Sequence, residues 1–148
     1  MSIPNLPPSK SVIDTLVGVL EAKEPREKNV GDALGIRLRR VLIASPVESF
    51  EGQLAEGPFE KVDFRINKES NVGVLVLNLR AGAPGIMRGE LDAARIAPTE
   101  PTLIAYPDIP PEGAVSHIYA AGGKEVHLQY GAMTNRLMVA AVHWNGRR

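Results

Sequence analysis

The chain has 148 residues, of which 44% are hydrophobic and 23% charged, with seventeen basic against seventeen acidic side chains and no cysteine. This composition belongs to one globular α+β-sized domain, 1–148, long enough to bury a real core. Zero net charge leaves no electrostatic footprint for nucleic acid, and the missing cysteine excludes disulfides and thiolate metal sites.

Residues 1–10 open with Met-Ser-Ile-Pro-Asn-Leu-Pro-Pro, which has no basic region followed by an apolar run and therefore does not read as a signal peptide. No stretch approaches the roughly 20 apolar residues of a membrane span, so a cytoplasmic protein with no membrane partner is the expectation. The prolines predict an extended arm over 1–10. Val12, Ile13, Leu16, Val17 and Leu20 then recur at helical spacing, and Ser11 with Asp14 three residues on is a capping-box variant, which predicts a helix over Ser11–Ala22. Glu21–Asn29 is a charged connection in which Pro25 ends any helix.

Two patterns overlap in Val30–Ala44. Leu34, Ile36 and Leu38 alternate as in a strand, while Leu34, Leu38, Val41 and Leu42 fit a helix face. Gly31 and Gly35 weaken the helix, so the reading is a strand through Ala44, broken by Ser45-Pro46. Arg37, Arg39 and Arg40 make a small basic cluster there, either a solvated surface or a docking site for an acidic partner. Phe50–Ala55 is a short strand candidate, and Glu56-Gly-Pro58 a turn.

Lys61–Ile66, a polar turn over Asn67–Asn71 and the apolar run Val72–Leu79 predict a hairpin. The same design returns in the last part of the chain. Val126, Leu128 and Tyr130 alternate with Glu125, His127 and Gln129; Gly131–Asn135 carries turn chemistry; Arg136–Trp144 is apolar on both faces, as a covered central strand would be. Sliding by about 64 positions superposes the two patterns, with Asn71 on Asn135, which is either an internal duplication or two unrelated hairpins of equal length. Gly122-Gly123 joins Ser116–Ala121 to Glu125–Tyr130 as a tight turn, completing a three-strand antiparallel meander. The expected core is Val12, Leu16, Leu20, Phe64, Ile66, Leu75, Leu77, Val126, Leu128, Tyr130, Val139 and Trp144.

Between the two hairpins, Ala81–Gly85 reads as a loop and Ile86–Ile96 as a short helix with Ile86, Leu91 and Ala94 inward. Residues 97–114 hold Pro98, Pro101, Pro107, Pro110 and Pro111 together with Leu103, Ile104, Tyr106 and Ile109. A loop this long in a compact domain is functional or disordered, and its apolar residues argue against disorder.

Catalytic and cofactor signatures are missing from the sequence. It has no HExxH and no Walker loop, and Gly82-Ala-Pro-Gly85-Ile-Met-Arg-Gly89 is a plain turn rather than a phosphate cradle, because its spacing is not GxGxxG and Pro84 removes a donor. The histidines do not predict a metal site. A tight turn at Gly122-Gly123 pairs His127 with Ile118 and His117 with Leu128, so His117 and His127 face opposite sides of the sheet. Closing the next hairpin at Gly131–Asn135 pairs His127 with Val139 and leaves His143 about 13 Å away. No metal, cofactor or catalytic residue is therefore assigned.

The order of a helix over Met87–Ile96, a loop and three antiparallel strands, across residues 86–145, resembles the helix-plus-meander module of the β-lactamase inhibitor protein and of small outer-membrane-assembly lipoproteins. Many small bacterial toxin-immunity proteins are α+β proteins of the same kind. The lipoproteins carry a lipidated cysteine that this chain lacks, which disfavours that role. The resemblance rests on element order, and it implies a class of protein that acts by covering a partner. The expectation is an α+β fold with a mostly antiparallel sheet, and a non-enzymatic protein that binds another protein, as an inhibitor or immunity protein does. Ile104, Tyr106 and Ile109 would be its anchors, and Asp108 and Glu112 would meet a basic site. The alternatives are a small enzyme using a histidine and a structural protein that self-assembles through a sheet edge.

Overall fold

The computed structural model describes residues 8–80, 85–110 and 112–145. Two helices, α1 (Pro8–Leu20) and α2 (Glu27–Leu34), precede eight strands: β1 (Arg39–Ala44), β2 (Val47–Gln53), β3 (Phe59–Asn67), β4 (Val72–Leu79), β5 (Thr102–Tyr106), β6 (Ala114–Ala121), β7 (Lys124–Gly131) and β8 (Leu137–Asn145). The fold is α+β, as the sequence predicts. All eight strands form one antiparallel sheet in the order β1-β2-β3-β4-β8-β7-β6-β5. It consists of two four-stranded meanders joined along a single seam, β4 against β8.

One face of this sheet carries the core. Val62, Phe64 and Ile66 of β3, Leu75 and Leu77 of β4, Val126, Leu128 and Tyr130 of β7, and Ala140, Val142 and Trp144 of β8 are each at most 3% exposed. Period two puts these side chains on one side, and α1 covers them with Val12, Ile13, Leu16 and Val19. The C-terminus of α1 is pinned from the sheet. Its last carbonyls have no helical partners, and Lys124 Nζ donates to the Leu20 carbonyl at 2.8 Å while Trp144 Nε1 donates to that of Ala22 at 2.9 Å. Trp144 also meets the Phe64 ring edge-on at 6.1 Å, and Phe64 meets Phe50 at 5.9 Å.

Several boundaries differ from the sequence reading, each for a local reason. Helix α1 is described from Pro8 on, earlier than Ser11, and proline suits a first helical turn, whose N–H groups have no intrahelical partner. The expected arm over 1–10 is thus helix from Pro8, and residues 1–7 lie outside the described residues. Ser11 sits inside α1, its carbonyl accepting Thr15 Oγ1 at 2.8 Å, and does not cap it. Residues 30–44 split: Val30–Leu34 belong to α2, and the strand begins only at Arg39. The short α2 has no side-chain N-cap, but Val30 is fully buried and the Ile36 N–H bonds back to the Gly31 carbonyl at 3.0 Å, closing the helix end.

The short helix expected over Ile86–Ile96 is instead two single 3-10 turns, Arg88–Glu90 and Ala93–Arg95, with Ile86 and Ile96 buried and Ala94 exposed. The helix in the helix-plus-meander layout is therefore not formed. Residues 81–84 lie outside the described residues. Val139, expected in the core, points to the other face. The two hairpins do share one detail: Asn71 and Asn135 both adopt positive φ, 60° and 58°, at the end of turns of equal length.

A candidate protein-interaction surface

The stretch 97–114 is not one long loop. Its centre, Thr102–Tyr106, adds to β6 as β5 and forms one end of the sheet. Pro101 and Pro107 bracket the strand, where the missing N–H interrupts no ladder. All five residues are exposed, with Leu103 at 57%, Ile104 at 39% and Tyr106 at 37%. The register with β6 pairs Ile104 with Ser116 and Tyr106 with Ala114, so these two side chains share the face opposite the helices, while Leu103, opposite His117, points to the helix side.

The remaining predicted contact residues are spread out. Asp108 is exposed in the turn that follows β5, and Ile109 is half-buried there, with its carbonyl accepting the Gly113 N–H. Glu112 points elsewhere: its carboxylate accepts the Met133 and Thr134 N–H groups, each at 3.1 Å, and the Thr134 hydroxyl at 2.8 Å, so it holds the β7–β8 turn. In the basic cluster, Arg37 precedes β1 and is exposed, Arg39 is paired with Glu51, and Arg40 lies 3.6 Å from Glu48. Lys68 reaches the same Glu48 at 3.1 Å. Carboxylates of β2 thus neutralise two of the three arginines.

The two ends of the sheet are unequal. β1 is also exposed, with Val41, Leu42 and Ile43 at 48–59%, but it carries Arg39 and Arg40 and a register shift between Arg40 and Leu42. Charge and irregularity of this kind blunt an edge against further strand pairing. β5 has no charge, no bulge and no internal proline. Half of its backbone N–H and C=O groups face away from β6, in geometry ready to take another strand.

The histidines are arranged differently from the sequence reading. His117 and His127 do lie on opposite faces, with the predicted partners Leu128 and Ile118. But the turn closes one residue wider than inferred, with the Gly131 N–H on the Arg136 carbonyl, and a bulge at Gln129/Tyr130 adds a second residue to the β7–β8 register, so that His127 pairs with Ala141 and Glu125 with His143. His127 and His143 become diagonal neighbours on the open face and stack at 3.9 Å, 14° from parallel, with Glu125 Oε1 3.1 Å from His127 Nε2. Burial, then the neighbouring His127, lowers the His143 pKa. His117 is 8% exposed, its Nε2 has no partner, its ring meets Tyr130 edge-on at 4.9 Å, and burial followed by Arg88 lowers its pKa. Stacked rings present their faces to each other and do not converge on an ion. Among the described residues no group of three or more His, Asp or Glu is placed to hold a metal.

These two imidazoles give the fold a sign of pH dependence. Both prefer to be neutral in the folded chain, so the unfolded chain takes up protons near the ordinary value of 6.5 that the folded chain refuses. Stability is complete above that value and falls as the pH drops through and below it. Urea midpoints at about pH 7.5 and about pH 5.5 should show the acid sample less stable, with the difference reduced in His143→Phe. An unchanged or higher midpoint in acid contradicts this.

No helix among the described residues is long and apolar enough to cross a membrane. No protein family, curated protein or solved structure matches the chain.

Proposed function

We propose that this protein works by binding another protein, as an inhibitor or immunity protein covers its target, and that β5 is its docking edge. The observation that carries this reading is the contrast between the sheet ends: β1 is guarded by arginines and a bulge, while β5 is uncharged and regular, and among the described residues no strand pairs with its outer edge. An extended segment of the partner adds as a ninth strand, its main chain taking up the unpaired groups of β5. Tyr106 and Ile104 then grip it from one face and Leu103 from the other, with Asp108 meeting a basic residue beside the strand.

Prolines on both sides hold β5 extended before the partner arrives, which lowers the ordering entropy of docking. The test is affinity capture with the tagged full chain in a lysate of its source organism, followed by titration of the purified partner. Tyr106→Ala should weaken binding by about 2 kcal/mol, roughly thirtyfold, with the unfolding midpoint nearly unchanged because the ring is exposed. Ile104→Lys should abolish capture. A partner held equally well by both variants places the contact elsewhere.

A further inference from the structure

We infer that the open face of the sheet is the interface between two copies of this chain, packed sheet on sheet. The central strands β4 and β8 are apolar on both sides: Val72, Val74 and Val76 of β4, with Val139 and Ala141 of β8, occupy the face opposite the helices. Both helices contribute to the core on the other side, as do Ile86, Ala93 and Ile96 around the 3-10 turns, and nothing among the described residues covers this one. An antiparallel sheet with one wet face shows polar residues there. Two apolar faces on adjacent central strands mark a sheet packed on both sides.

The size fits. The six inner strands at about 4.8 Å, each about 20 Å long, make a face of roughly 580 Å² that leaves β1 and β5 clear, so two copies together remove about 1,150 Å², above the roughly 1,000 Å² that a specific interface clears.

The charges also fit a second copy. The registers lay the open face out in rows: Arg65, Val74, His143 and Glu125 across β3-β4-β8-β7, and beside them Asp63, Val76, Ala141 and His127. A two-fold axis running along the β4–β8 seam sets β4 over β8 of the second copy and β3 over its β7. Arg65 then faces Glu125 of the second copy, Asp63 faces His127, and Val76 faces Ala141. The Arg65–Glu125 and Asp63–His127 contacts each occur twice, once from each side of the axis, as an isologous contact requires, while Val74 lies over the His143 ring. The free backbone groups of β5 point sideways in the plane of the sheet and stay accessible, so this contact does not depend on the docking edge proposed above.

Sedimentation equilibrium of the full chain should give twice the 16.0 kDa chain mass. Val76→Lys should give the single-chain mass with an unchanged circular dichroism spectrum. Arg65→Glu and Glu125→Arg should each raise the dissociation constant about tenfold or more, and the double variant should restore it to within about threefold of the original. Both of these positions are solvent-accessible, so the charge exchange decides the question even if Val76→Lys fails to fold. A single-chain mass at about 100 μM, a dimer indifferent to Val76→Lys but lost in Ile104→Lys, or a double variant no better than its parents would each overturn the inference.

Discussion

Trp144→Ala is expected to lower the unfolding free energy by about 4 kcal/mol, the largest loss from any single side chain in this protein. The indole is 3% exposed, packs edge-on against Phe64, and donates to the Ala22 carbonyl just past the end of α1. Truncation opens a cavity at the point where helix and sheet meet and strands that carbonyl without its donor. Trp144→Phe keeps most of the volume and loses only the hydrogen bond and part of the ring, so it should cost about half as much. Urea denaturation of the two variants measures both. A loss below about 1 kcal/mol for the alanine would mean that α1 is not anchored here.

The second expected effect has the opposite sign from what strand propensity suggests. Gly73 lies in β4, a central strand, where valine is the better strand former by up to about 1 kcal/mol. Gly73→Val should nevertheless destabilise by about 3 kcal/mol. A Cβ at this position would lie 2.4 Å from Pro25 Cβ and 3.5 Å from Trp144 Cε3. The absent side chain is what lets the α1–α2 connection settle onto the sheet. Adding one forces either the strand or the connection to move, and both are packed. Gly73→Ala makes the same contact with fewer atoms and should fall between the two. A valine variant as stable as the natural chain would show that the connection around Pro25 yields freely.

Much of the sheet was legible in the sequence because period two is a strong local signal. The Gly122-Gly123 turn, the opposite facing of His117 and His127, and the buried set from Phe64 to Trp144 all follow from alternation and turn chemistry. What was not legible is tertiary. The bulge at Gln129/Tyr130 has no sequence mark, yet together with a turn that closes on Arg136 rather than Asn135 it brings His143 from an inferred distance of about 13 Å to stacking contact with His127. The eight-residue α2 carries a glycine in its interior and no capping side chain, so local preference argues against a helix that packing of Val30 supports. β5 hid among prolines, which fall at its two ends rather than inside it. The apolar second face of β4 and β8 was visible as composition, and Val139 of it was read as core, since a sequence does not say which face the helices take.

The seam between the two meanders has a kinetic consequence. Within each meander every strand pairs with the next one along the chain, across short connections, so these contacts are local and form quickly. The β4–β8 pairing instead joins residues such as Val72 and Asn145, with the whole of β5, β6 and β7 between them. Closing that long loop carries an entropic cost that no local contact has yet offset. The bonds from Lys124 and Trp144 to the end of α1 span a still longer stretch of chain. Folding is therefore limited by one late event, the meeting of two half-sheets, and unfolding by its reversal. Stabilising the seam should slow the loss of structure more than an equal gain within either meander.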